Sequence, residues 1–191
     1  MKDSKAFWQE KYDLGLTKWD LGTISPPLKA YIDQLKEKDC RILIPGCGHA
    51  YEAAYLFQLG FTNVYIVDIV EEPLRVFQSK NPAFPSNHIL CQDFFKLEQT
   101  FDLILEQTFF CAILPEQRLE YLKKVQTLLK ANGKFVGLLF DREFESGPPF
   151  GGNKADYEQL FSSVFSTSKI EPCYNSLAPR KGSEVFFIAQ K

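Results

Sequence analysis

Short apolar runs along this 191-residue chain alternate with segments in which apolar residues recur every three or four positions. The runs cover residues 40–45, 63–69, 88–93, 101–106 and 134–140. Near-continuous apolar runs of this length mark strands covered on both faces, as in a parallel sheet. Two further runs, near 167–174 and 184–190, flank Ala178-Pro179-Arg180-Lys181-Gly182 and predict a hairpin. Between the runs, residues 51–59 read as a helix ended by Gly60, and residues 71–80 as a helix stopped before Pro82. Pro115 opens a helix carrying Leu119, Leu122, Val125, Leu128 and Leu129, which Asn132-Gly133 is expected to close. Tyr157, Leu160, Phe161, Val164 and Phe165 mark a last helix. Ahead of the first strand, Ser25 suits an N-cap and Pro26 the first helical position. Leu28, Tyr31, Ile32 and Leu35 then line one buried face. The prediction is an α/β fold: a doubly wound, Rossmann-like, seven-stranded, mostly parallel sheet with helices on both faces and a C-terminal antiparallel hairpin.

The length suits one domain spanning residues 1–191. A net charge of −2 and the absence of a basic run disfavour nucleic acid as a partner. Cys40, Cys47, Cys91, Cys111 and Cys173 are odd in number and scattered, without CxxC spacing. That excludes a disulfide framework or a zinc site as the organising device and fits a reducing cytoplasm. The N-terminus has no apolar leader core, and no stretch is long enough to span a bilayer. Aromatic residues make up 15% of the chain, and both tryptophans lie within residues 3–24. With Phe7 and Tyr12, Trp8 and Trp19 read either as a helix docked on the core or as a lid over a ligand.

The chemistry centres on Cys40-Arg41-Ile42-Leu43-Ile44-Pro45-Gly46-Cys47-Gly48, an apolar strand that stops at Gly-x-Gly and turns into a helix. Such a junction brings bare backbone and free helix N–H groups to a ligand. Twenty residues beyond Gly48, the second run ends at Asp68, where a ribose could be held. Asp93 and Gln107 fall at the ends of the third and fourth runs. Ligands of doubly wound sheets bind at those carboxyl ends. Tyr51 stands where a dinucleotide fingerprint has its third glycine, and no Gly-Lys-Ser/Thr follows. A ligand with a ribose and a base but no phosphate fits better, with Asp93 at the base amino group beside Phe94. S-adenosylmethionine is the obvious candidate.

Several separated pieces carry a family resemblance. They are Trp19-Asp20-Leu21-Gly22 followed by Pro26, Ile44-Pro45-Gly46-Cys47-Gly48, Phe109-Phe110-Cys111-Ala112-Ile113, Gly147-Pro148-Pro149-Phe150 and Arg180-Lys181-Gly182-Ser183-Glu184. In this order they resemble the thiopurine methyltransferase superfamily of class I S-adenosylmethionine-dependent methyltransferases, and most closely its thiol/halide branch. The resemblance implies that Trp8 and Trp19 close over the cofactor. It also implies that Gly46 approaches the methionine part, Asp68 the ribose, and Asp93-Phe94 the adenine. The branch usually carries Tyr where this chain has Gln107 and Phe150, and the second change removes a hydroxyl from the expected acceptor pocket.

Methyl transfer from a sulfonium to a soft anion needs alignment and dryness more than a base. The expectation is therefore a positioning mechanism with no dedicated catalytic residue and no metal. Trp8, Tyr12, Trp19, Gly46, Gly48, Asp68, Asp93, Phe94 and Gln107 are the candidate cofactor contacts. Phe110, Phe150 and Arg180 are the candidate acceptor contacts, with Arg180 read either as an anion attractor or as a solvated turn charge. The acceptor is expected to be a small thiol, hydrosulfide, halide or thiopurine, and the protein a monomer. His49, His88, Cys47 and Cys111 are assigned structural roles, and Glu106 is read as a base or a rim carboxylate. A macromolecular acceptor, a non-catalytic cofactor-binding module and a dinucleotide dehydrogenase are the competing readings.

Overall fold

The computed structural model describes residues 4–191. Seven strands form one sheet: β1 (Ile42–Pro45), β2 (Val64–Asp68), β3 (Ile89–Cys91), β4 (Phe101–Gln107), β5 (Leu129–Phe140), β6 (Thr167–Pro172) and β7 (Glu184–Gln190). Their order is β3-β2-β1-β4-β5-β7-β6. The first five strands run parallel, and β7 lies antiparallel between β5 and β6. This is the predicted doubly wound sheet with its C-terminal hairpin. The chain leaves β1 towards β2 and β3, then returns across β1 to β4, so the switch point lies between β1 and β4.

Side chains alternate between two cores, one on each face of the sheet. On one face α5 (Arg118–Leu128) and α6 (Lys154–Ser162) cover Leu43, Ile104, Phe135 and Phe187. Tyr121, Phe161 and Phe165 join this aromatic layer. On the other, α2 (Pro26–Ile32), α3 (Tyr51–Gln58) and α4 (Glu71–Lys80) cover Ile42, Ile44, Ile66 and Val136. Much of the high aromatic content is thus packed core. Among the described residues no helix is long and apolar enough to cross a membrane.

Several boundaries differ from the pattern-based expectation. α5 ends at Leu128, and Leu129 is already extended and pairs with Phe101. Residues 130–133 then bulge out before Lys134 pairs with Leu103, with Asn132 at φ +63°. The Asn-Gly signal therefore marks a bulge within β5 and not the helix end. Leu119 is 40% exposed, because Tyr121 and Leu122 take the buried stripe. Ser25 occupies the N-cap position of α2 without a side-chain cap; its N–H instead donates to Glu52 Oε1 at 3.1 Å. Leu35 lies beyond the end of α2 but still packs on the core. His88 belongs to a 3-10 turn ahead of β3. Asp93 caps the 3-10 turn Phe94–Lys96 beyond that strand.

The N-terminal segment is helical and lines a cavity. α1 (Ser4–Asp13) is a helix, and Phe7, Trp8 and Tyr12 on it face a cavity with Trp19. Residues 1–3 of the expected lid lie outside the described residues.

Candidate active site

A cavity of about 790 Å³ opens at the carboxyl ends of β1, β2, β4 and β5. That size lies within the roughly 300–1,000 Å³ typical of small-molecule sites. Gly46, Asp68, Asp93 and Phe94 line it. Trp8, Tyr12 and Trp19 roof it. Arg180, Phe140, Phe144, Pro148 and Pro149 line the other walls.

Each part has a local cause. Gly46 adopts φ +54°, and the space beside its α-carbon is filled by the Phe109 ring, so no Cβ fits. Asp68 ends β2 and braces the turns around it. Its Oδ2 accepts the Gly48 N–H at 2.9 Å and its Oδ1 the Val70 N–H at 3.0 Å. Burial pushes the Asp68 carboxyl up from its ordinary value, and these N–H groups oppose the shift. Tyr12 stands over the same region, where burial and the nearby Asp68 raise its phenol.

The roof is an edge-to-face aromatic cluster. The Trp8 and Trp19 centroids are 5.3 Å apart, and those of Tyr12 and Trp19 5.7 Å. Two polar ties fix Trp19. Next to it, Asp20 accepts the Gly22 N–H and lies 2.8 Å from His49 Nδ1. Arg180 Nη2 donates to the Trp19 carbonyl at 2.9 Å, while its Nη1 sits 3.3 Å from Glu184. Arg180 is therefore buried and built into the wall, not a solvated turn charge.

Of the predicted site residues, Trp8, Tyr12, Trp19, Gly46, Asp68, Asp93, Phe94 and Arg180 share the large cavity. Gly48 and Gln107 instead line a small chamber of about 50 Å³, which also touches Trp19, Gly46 and Thr108. Neither amide atom of Gln107 has a hydrogen-bond partner among the described residues, although both are buried.

Two expected acceptor contacts need correction. Phe110 is 1% exposed and packs against Tyr121, Tyr157 and Phe161 in the core. Phe150 is not among the residues lining the cavity, and its backbone is tied down, its N–H donating to the Cys111 carbonyl at 2.7 Å and its carbonyl accepting from Arg118. Their neighbours Phe109, Pro148 and Pro149 line the cavity instead. A 3-10 turn at Phe110–Ala112 rotates alternate side chains inward, and residue type alone does not reveal that. Phe140 and Phe144 were missed as well: Phe140 is the last residue of β5, and Phe144 lies in the segment that follows it. Glu106 is neither base nor rim carboxylate, since it is fully buried and outside the cavity.

Comparison with known proteins agrees with this fold. Residues 3–190 match the family model described as thiopurine S-methyltransferase (TPMT). The chain is 30% identical to "Probable thiol methyltransferase 2" of Arabidopsis thaliana, over 96% of this chain and 84% of that protein. It is also 30% identical to "Thiocyanate methyltransferase 1" of Brassica oleracea, over 93% and 81% of the two chains. Among solved structures, 1,6-didemethyltoxoflavin-N1-methyltransferase of Burkholderia thailandensis, with S-adenosylhomocysteine bound, superposes with a TM-score of 0.75. That match covers 98% of this chain and 86% of the other at 18% identity, and it speaks to the fold. The protein is an S-adenosylmethionine-dependent methyltransferase. More narrowly, the chain belongs to the thiopurine S-methyltransferase family.

Proposed function

We propose that this enzyme transfers the methyl group of S-adenosylmethionine to a small, soft nucleophile, a thiol or hydrosulfide first of all, by in-line displacement. The observation that carries this reading is one cavity lined both by an acid at a strand end, Asp68, and by a buried arginine, Arg180. Asp68 takes the ribose hydroxyls, and Asp93 and Phe94 take the adenine amino group and ring. Gly46 lies along the methionine portion. The unpartnered Gln107 amide in the adjoining chamber suits that portion's polar end, since buried polar groups tend to be paired. Gly48 contributes through Asp68, which its N–H orients.

When bound, S-adenosylmethionine supplies an electrophilic methyl whose departing thioether is neutral. The protein's own residues have three tasks. Trp8, Tyr12 and Trp19 exclude water from above. Phe140, Phe144, Pro148 and Pro149 give the acceptor end apolar walls. Arg180 favours an acceptor that arrives as an anion, with part of its charge answered by Glu184. A thiolate or hydrosulfide already carries its lone pair, so alignment in a dry site supplies the acceleration without a proton acceptor. Cys111 lines the cavity, but burial pushes its thiol up to about 12, which keeps it protonated and unreactive.

We further propose that the chain acts as one domain and a monomer in the cytoplasm, on small molecules and not on nucleic acid. The names of its relatives support a sulfur or pseudohalide acceptor. An acceptor panel tests the reading: hydrosulfide, an aryl thiol, a thiopurine, thiocyanate and iodide, each with S-adenosylmethionine. Turnover with at least one sulfur nucleophile is expected. Binding of S-adenosylhomocysteine without turnover on any of them would favour a non-catalytic module.

A further inference from the structure

The penultimate residue of β4, Glu106, is a carboxylate that the proposed reaction does not use. Glu106 is fully buried, and among the described residues no Lys, Arg or His pairs with it. Its Oε1 accepts the N–H groups of Phe109 at 2.6 Å and Phe110 at 2.8 Å. Its Oε2 accepts the hydroxyl of Tyr121, which is itself fully buried. The sheet leaves room for this group: on β5 the residue opposite Glu106 is Gly137, where a Cβ would collide with it. Burying a carboxylate without a countercharge carries a desolvation penalty, and an apolar side chain is often more stable in such a place. Its presence therefore calls for a task that an apolar side chain cannot perform.

The adjoining backbone defines that task. Thr108, a β-branched residue, adopts φ +62°, a left-handed conformation that such residues strongly disfavour. Strain of this kind persists only where the surroundings hold it. Glu106 captures the next two backbone N–H groups after Thr108, closing the turn from both ends. The turn in turn presses the Phe109 ring onto Gly46, against Phe94 and Tyr121. Thr108 borders both the large cavity and the small chamber, and the turn also presents the unpartnered Gln107 amide to the latter.

We propose that Glu106 is a positioning residue for methyl-donor binding: its carboxylate holds the strained turn at residues 107–109 that partitions the two chambers. The inference rests on the reading that these chambers receive S-adenosylmethionine. Glu106 touches no ligand and moves no proton; it sets where Gly46, Gln107 and Phe109 stand.

The test is calorimetric titration with S-adenosylhomocysteine, with ligand-free thermal melting run in parallel. Glu106→Ala should weaken binding at least tenfold at temperatures where it remains folded. Glu106→Gln keeps an oxygen for the two N–H groups and an NH2 for Tyr121, and should bind within about threefold of wild type. Thr108→Gly supplies the decisive comparison, because glycine adopts the left-handed conformation unaided. The double variant Glu106→Ala/Thr108→Gly should recover to within about threefold of Thr108→Gly alone. If Glu106→Ala does not fold, Glu106→Asp, which retracts the carboxylate by one methylene, carries the same comparison.

Wild-type affinity in a folded Glu106→Ala whose melting temperature has dropped would overturn the proposal and leave Glu106 a purely structural group. Loss of binding that Thr108→Gly does not restore would overturn it equally. Failure of the wild type itself to bind S-adenosylhomocysteine would overturn the cavity reading, and this inference with it.

Discussion

The ring of Phe109 fills the space that a side chain on Gly46 would need, and the two residues together form part of the floor of the cavity. Gly46→Ala therefore faces two penalties. A non-glycine residue at φ +54° costs about 1–2 kcal/mol. The methyl group also displaces Phe109. The variant should melt at a lower temperature and bind S-adenosylhomocysteine at least tenfold more weakly by calorimetry. Unchanged binding would mean that the ligand does not lie along this floor.

Asp68 has both oxygens committed to backbone N–H groups, at Gly48 and Val70, yet faces the cavity. Asp68→Ala should weaken S-adenosylhomocysteine binding by about 1–3 kcal/mol through lost charge-assisted bonds. Asp68→Asn keeps one acceptor oxygen and should fall between the two. Calorimetry on both variants orders them.

The protein's two tryptophans, Trp8 and Trp19, both roof the cavity, with centroids 5.3 Å apart. Intrinsic fluorescence should therefore change saturably on titration with S-adenosylhomocysteine. Trp19→Phe should keep much of the packing and part of the signal. Trp19→Ala should raise KM for S-adenosylmethionine several-fold, since it opens the roof and removes the bulk that the Arg180 contact holds in place. A fluorescence titration and steady-state kinetics check the pair.

Glu106 makes stability depend on pH in a definite direction. Burial raises its carboxyl from 4.5 to about 7, so between these values the folded state holds a proton that the unfolded chain releases. The folded state then binds more protons, and stability falls as pH rises through that window, levelling above about 7. The loss is on the order of 3 kcal/mol, from roughly 1.4 kcal/mol per pH unit. Glu106→Gln removes this titration. Its stability relative to wild type, by chemical denaturation, should improve from pH 5 to 7 and hold steady beyond.

Much of this molecule was legible in its residue pattern. Near-continuous apolar runs and helical stripes carry the fold, because parallel strands with both faces covered leave an unmistakable apolar signature at Ile42, Ile44, Ile66 and Leu103. The convergence of Gly46 and Asp68 was legible too, since both sit at strand ends that the topology brings together. Which aromatic side chains line the cavity was not. Whether Phe109 or Phe110 faces the cavity depends on one 3-10 turn and one left-handed threonine, and neither has a signal in residue type. The boundary at Leu129 was missed for a related reason: Asn132-Gly133 suits a helix end and a strand bulge equally well. Glu106 escaped correct placement because charge pattern says nothing about burial.

The central claim is that the strand tips around Gly46 and Asp68 hold an adenosine-bearing sulfonium under the two indoles. A crystal structure with S-adenosylhomocysteine tests it most directly. Density should place the ribose on Asp68, the adenine beside Asp93 and Phe94, and the amino-acid end between Gly46 and Gln107. Density at any other place on the protein would contradict the account.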